Sequence, residues 1–161
     1  MSVEELIPNI GRHPGLDQRQ LTLPELGALV VVAGIENGFE VELEVPCCDN
    51  HPKHKVDCLW RAPRIGEARG RVIVAWEFDG RDARRAHLLG GGRRLGTITK
   101  LSDTRAPVKV QALFSVRNGE LDDRRADTQE AFENAGIDVY LDTELVTGRL
   151  MEIIGRAITA R

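Results

Sequence analysis

Asp57, Glu77 and Asp79 are three carboxylates that fall on the polar faces of two consecutive strand-like segments. In the segment 55–61, period-two alternation puts Val56, Cys58 and Trp60 on one side and Lys55, Asp57, Leu59 and Arg61 on the other. In 72–79, Val72, Val74, Trp76 and Phe78 share one side, and Ile73, Ala75, Glu77 and Asp79 the other. Pairing the two strands through a short connection gathers the carboxylates on one face. Their mutual repulsion must then be offset by a cation, a proton or a basic neighbour. Glu77 also follows a run suited to a central, buried strand, where an unpartnered carboxylate is costly. The competing reading is a polar strand face paired with downstream arginines, with Asp57 bridging to Arg61 or Arg71.

A second group with chemistry in it is Cys47, Cys48, His51, His54 and Cys58. Sulfur and imidazole at this density suit zinc, but the spacing does not: there is no C-x-x-C and no second pair at a ligand-like distance. Pro46, Asn50 and Pro52 already account for the segment as a turn. Sequence therefore favours an ordinary connection with buried cysteines over zinc at Cys47, Cys48, His51 and His54.

The elements that would position these groups follow from periodicity and punctuation. Thr22 and Glu25 make a capping-box pattern with Pro24 in the first turn, and Leu26, Leu29, Val30 and Ala33 follow helical spacing up to Asn37-Gly38. The β-branched run Val30–Val32 keeps a strand as the alternative. Residues 39–45 alternate cleanly as a first strand, followed by a turn at 46–54 and the strands of Asp57 and Glu77. Residues 81–101 read as a helix loosened by Gly90–Gly92, 108–116 as a strand and 121–135 as a helix stopped by Gly136. A short strand at 137–141 and an amphipathic helix at 143–160 complete the chain. Residues 1–21 form an irregular lead-in and 22–161 a single domain. The expected class is α/β, with a mixed central sheet flanked by helices and a fourth strand parallel to the third.

Composition narrows the functional classes. The 161 residues, 42% hydrophobic and 29% charged, are ordinary for one globular domain. The longest apolar run, Ala28–Ala33, is far short of the roughly 18–20 residues a membrane span needs. It is also too short for a signal-peptide core, and no basic leader precedes it. Three cysteines point away from a disulfide framework and toward a reducing compartment, which makes the cytoplasm the expected location. The net charge of −3 conceals an asymmetry. Residues 1–60 carry 4 basic against 10 acidic side chains, 61–125 carry 15 against 8, and 126–161 carry 3 against 7. A basic stretch on a mildly acidic chain suggests an anionic partner; the plainer account is a solvated, arginine-rich helix face. The glycines at 90–92 and 96 do not make a phosphate-binding loop, and no serine nucleophile elbow is present. Aromatics at 4% are too few for a base-stacking platform.

The element order α-β-β-β-α-β, with Asp57 on the second strand and Glu77-Phe78-Asp79 on the third, resembles the PD-(D/E)xK nuclease superfamily of restriction endonucleases, junction resolvases and repair nucleases. The resemblance covers residues 22–116, with a C-terminal α-β-α extension. It implies a restriction-endonuclease-like core, a Mg²⁺ or Mn²⁺ ion held by Asp57, Glu77 and the Phe78 carbonyl, and hydrolysis of DNA phosphodiesters by activated water. It further implies phosphate contacts from Arg81, Arg84, Arg85, Arg93 and Arg94. A small nuclease fold that must address two strands often works as a homodimer. Family members usually carry Lys two residues after the Glu, where this chain has Asp79. That departure admits either an enzyme in which Asp79 is a further ligand or base, or a catalytically inactive module that binds nucleic acid or protein. Lys55, Arg81 and Arg84 are candidates to replace the missing Lys. Glu25 and Glu42 are candidate additional carboxylates.

Overall fold

The computed structural model describes residues 23–48, 52–80, 96–114 and 129–161. The irregular lead-in expected at 1–21, the capping side chain of Thr22, His51 and the whole arginine group from Arg81 to Arg94 lie outside those residues.

The fold is α/β, with a five-stranded mixed sheet flanked by helices. Helix α1 (Leu23–Glu36) precedes strands β1 (Glu40–Pro46), β2 (Lys55–Arg61) and β3 (Val72–Gly80). Helix α2 (Thr97–Asp103) leads to β4 (Val108–Phe114), and a helical stretch at 129–134 leads to β5 (Asp138–Leu141). The chain closes with α3 (Asp142–Glu144), a π-helical turn at Leu145–Arg149 and α4 (Leu150–Ala160). The sheet order is β1-β2-β3-β4-β5. β1, β2 and β3 pair antiparallel, whereas β4 is parallel to β3 and β5 to β4. The switch at β3 fits the crossover between residues 80 and 108, because parallel neighbours need a long connection.

Each sheet face has its own core. On one, Leu26, Leu29, Val30 and Ala33 of α1 and Leu150, Ile153, Ile154 and Ala157 of α4 cover Cys58, Trp60, Val74, Trp76 and Val110. On the other, Leu101 of α2, Phe132 and Ile137 cover Leu59 and Ala75. The β-branched Val30–Val32 run is helical, since its neighbours at helical spacing supply one apolar stripe that the sheet can bury. Phe39, Trp60, Trp76 and Phe78 follow one another across the first core, the first pair stacked and the next two tilted, with centroids 5.3 to 6.2 Å apart.

The structure amends some boundaries. Helix α2 runs to Asp103, two residues past the expected stop at Leu101. The expected alternation of β3 fails at its start: a bulge shifts the pairing from Trp60↔Val74 to Arg61↔Val72, so Ile73 joins Val74 in the first core and Val72 turns to the second. Val56 likewise packs in the second core, beside Val45. It lies next to Glu44, whose φ of 51° interrupts β1. Gly136, at φ 69°, ends its helix as expected at a position that favours glycine. The C-terminal helix is not continuous, because Gly148 leaves helical geometry at φ 147°. Among the described residues, no helix is long and apolar enough to cross a membrane.

Gly34 sets how closely α1 approaches the sheet. A Cβ there would lie 2.6 Å from Val41 Cγ2 and 2.7 Å from Trp60 Nε1. Gly34→Ala should therefore destabilise the protein by about 1–3 kcal/mol, despite the better helix propensity of alanine, because overpacking outweighs it. Urea unfolding followed by Trp fluorescence measures this. An unchanged or raised midpoint would show that α1 can shift without cost.

Candidate active site on the carboxylate face of β3

The N-terminal end of β2 and the C-terminal end of β3 are neighbours in the antiparallel pair, so Asp57 and Glu77 meet across it. Cys58 lies opposite Trp76, which sets Asp57 beside Glu77. Asp57 is half-buried, and its Oδ2 accepts a hydrogen bond of 2.7 Å from the Phe78 amide. Glu77 and Asp79 are buried at 2% and 7% exposure. The sequence-predicted trio is thus assembled on one face, and the edge it occupies is the carboxyl end of the parallel strands β3 to β5.

Lys100 enters this face from α2. Its Nζ lies 3.1 Å from Glu77 Oε1 and donates to the Lys55 carbonyl at 3.2 Å. At that distance Lys100 is the charged partner of Glu77 and favours its ionised form. One turn earlier in α2, Thr97 Oγ1 donates to Asp79 Oδ2 at 3.4 Å. On β4, Gln111 is paired in register with Glu77 and fully buried. Its amide donates to the Ala112 carbonyl, and its Oε1 lacks a donor among the described residues.

Burial dominates the electrostatics. It raises Glu77 to about 8, aided by the charges of Asp57 and Asp79 and opposed by Lys100. Asp57 is raised too, first by desolvation and then by Glu44 and Asp79, against the Phe78 amide and Lys100. Burial thus favours the protonated form of Glu77, and Lys100 the ionised form with which it pairs. Such a perturbed carboxyl, beside two others, is a frequent mark of a functional site.

The remaining expected residues are distributed as follows. Lys55 has an exposed side chain, and its carbonyl, not its ammonium, bonds Lys100. Phe78 contributes its amide to Asp57. Glu42 is drawn away from the site by Arg61 at 2.8 Å and Arg69 at 3.8 Å; Glu44 is the β1 carboxylate that acts on Asp57. Arg61 pairs with Glu42 and Arg71 donates to the Ala160 carbonyl, so the competing reading, a bridge from Asp57 to one of them, is not the arrangement found. Cys58 is buried in the core with its thiol pushed up to about 12, which makes it inert. Sequence reasoning missed Lys100, Gln111, Thr97 and Glu44. A signal existed for Gln111, a lone amide in the buried run Val108–Leu113. Lys100 stood within the basic stretch but carried nothing to single it out.

A carboxyl that holds its proton more tightly in the folded chain than in the unfolded one favours folding at low pH. For Glu77 that contribution is full below about 4.5 and is lost as the pH climbs through about 8. The melting temperature of metal-free protein should accordingly fall across that window. Glu77→Gln should flatten the fall, and Lys100→Met should extend it to higher pH by removing the opposing charge. Calorimetry of the three proteins from pH 4.5 to 9 decides; parallel curves for wild type and Glu77→Gln would refute the assignment. Comparison with family models, with curated proteins and with solved structures returns no match, so the residues and their geometry alone define this site.

Proposed function

We propose that this protein is a metal-dependent nuclease-like domain of the PD-(D/E)xK type, hydrolysing DNA phosphodiesters at the Asp57–Glu77–Asp79 face. The observation that carries this reading is the convergence of half-buried Asp57 with buried Glu77 and Asp79 on one face, with Lys100 Nζ 3.1 Å from Glu77. Lys100 supplies from α2 the positive charge that the motif usually carries two residues after the Glu. The residues fit a hard divalent ion. Asp57, Glu77 and the Gln111 side-chain carbonyl are oxygen donors, and the buried Gln111 Oε1 is the kind of atom that a cation satisfies.

Asp57 and Glu77 would hold Mg²⁺ or Mn²⁺, with the Phe78 carbonyl beside them. When bound, the ion lowers the pKa of a coordinated water and offsets charge on the phosphoryl oxygens. The Phe78 amide fixes the Asp57 carboxylate, and Glu77 would serve as a ligand in its ionised form. Lys100 would orient the attacking water or meet the phosphate, and Asp79, tied to Thr97, would serve as a further acceptor. Arg81, Arg84, Arg85, Arg93 and Arg94 would grip the DNA backbone. Action on two strands would call for a homodimer.

A second reading, a nuclease-fold module that binds nucleic acid or protein without turnover, is favoured by the same lysine. Lys100 already partly neutralises the site, so an ion is less needed there.

The two readings separate in vitro. The first expects cleavage of plasmid or branched DNA in Mn²⁺ or Mg²⁺, abolished by Asp57→Ala and lowered about 100-fold or more by Lys100→Ala. Lys55→Ala, made in parallel, distinguishes the two lysines by the size of its loss. Independently of turnover, Mn²⁺ should raise the melting temperature of wild type at pH 8 and leave Asp57→Ala unmoved. Cleavage that survives Asp57→Ala would place the chemistry elsewhere. Salt-sensitive DNA binding with no cleavage and no Mn²⁺ effect would establish the second reading.

A further inference from the structure

Away from the carboxylates, the bend after β1 brings two adjacent thiols together with a helix carboxylate. In extended chain, neighbouring side chains point to opposite faces. At the bend of Cys47 this fails: Cys47 Sγ and Cys48 Sγ lie 3.9 Å apart, and Cys48 Sγ lies 3.9 Å from Asp103 Oδ2. The three donor atoms all fall within 4.8 Å of one another. The bend is held by the Cys47 amide, which donates to the His54 carbonyl at 2.9 Å across the turn. Both cysteines are reduced.

These distances have a chemical counterpart. Two thiolates bound tetrahedrally at about 2.3 Å from zinc sit about 3.8 Å apart, and a thiolate and a carboxylate oxygen about 3.5 Å apart. The Cys47–Cys48 and Cys48–Asp103 separations need only a few tenths of an ångström of adjustment, and closing the third pair, within 4.8 Å, brings Cys47 and Asp103 nearer. The donors also open onto a cleft of about 690 Å³, so an ion has a route in and room for a water as fourth ligand. Arg105 lines the same cleft beside Asp103, while Arg61 and Arg69, also on its wall, are paired with Glu42.

We propose that Cys47, Cys48 and Asp103 form a three-donor site for a thiophilic divalent ion of the zinc class. The site clamps the β1–β2 turn to the end of α2. Binding releases the two thiol protons to solvent and leaves both sulfurs as thiolates, so affinity falls as the pH is lowered. Asp103 lies one turn beyond Lys100, and the clamp therefore also fixes the helix that delivers that lysine to Glu77. The donor chemistry separates the two sites: sulfur selects against Mg²⁺ here, whereas the carboxylate face offers only oxygen.

Cobalt(II) reports on this site directly, because thiolate coordination gives an intense near-ultraviolet charge-transfer band that carboxylates do not. The reduced full-length chain is titrated anaerobically with Co²⁺ in excess Mg²⁺, and Zn²⁺ is then added. The expected result is a charge-transfer band that saturates at one ion per chain and is bleached by Zn²⁺. Cys48→Ser should abolish it. Changes behind a metal ligand already cost about 10–100-fold in affinity, so Asp103→Asn, which removes a ligand, should cost at least about 100-fold. Asp103 is half-exposed, so this variant reads the site even where a cysteine variant fails to fold. The proposal is overturned if wild type gives no band, if the band survives Cys48→Ser, or if Asp103→Asn binds as tightly as wild type. A Cys47–Cys48 disulfide that resists reduction would overturn it as well.

Discussion

Strand β3 presents two opposed surfaces back to back, and the rest of the molecule answers to that constraint. Trp76 and Phe78 face one side, where α1 and α4 close an aromatic and aliphatic core. Glu77 and Asp79 face the other, under α2, where they are almost as deeply buried. A central strand cannot shift by one residue to relieve the second face without driving Trp76 into it. The register against β2 and β4 is thereby pinned, and the cost of two desolvated carboxyls has to be met where they stand.

Burial favours a proton on Glu77, Lys100 brings a charge to 3.1 Å, and Thr97 donates to Asp79. Gln111 Oε1 still lacks a donor among the described residues. A purely structural ion pair gains stability only when its remaining hydrogen-bonding capacity is satisfied, and hydrophobic replacement is often as good. An incompletely satisfied carboxylate cluster at the carboxyl edge of parallel strands is more readily explained as a binding site, where ligands to α/β sheets commonly sit.

Much of this was legible from period-two alternation alone. Residues 55–61 and 72–79 state which side chains share a face, and the structure keeps Asp57, Glu77 and Asp79 together. The alternation misleads where the chain departs from regular β geometry, at the bulge before Val74 and beside Glu44 at φ 51°. Those departures depend on local backbone choices that hydrophobicity does not encode. Lys100 illustrates a different limit. Its role depends on how α2 crosses the sheet, a tertiary fact with no local signature, and Lys55 was the nearer guess because it shares a strand with Asp57. Asp103 is a similar case: the Cys-Cys pair looked poor for metal because its third donor comes from 55 residues away in the chain.

Helix α2 joins these observations. At seven residues, with no side-chain cap at Gly96, it is too short to hold together on propensity. Beyond the packing of Leu101 and Ile98, its anchors are polar and come at successive turns: Thr97 to Asp79, Lys100 to Glu77 and the Lys55 carbonyl, and Asp103 to Cys48. Each partner is a site residue or a neighbour of one, so the helix is ordered by the groups it serves. A lysine at position 79 would put a second ammonium near Lys100 and remove the acceptor for Thr97. Asp79 thus holds the start of the helix from which Lys100 reaches Glu77, so the acid and the lysine are positioned as one unit.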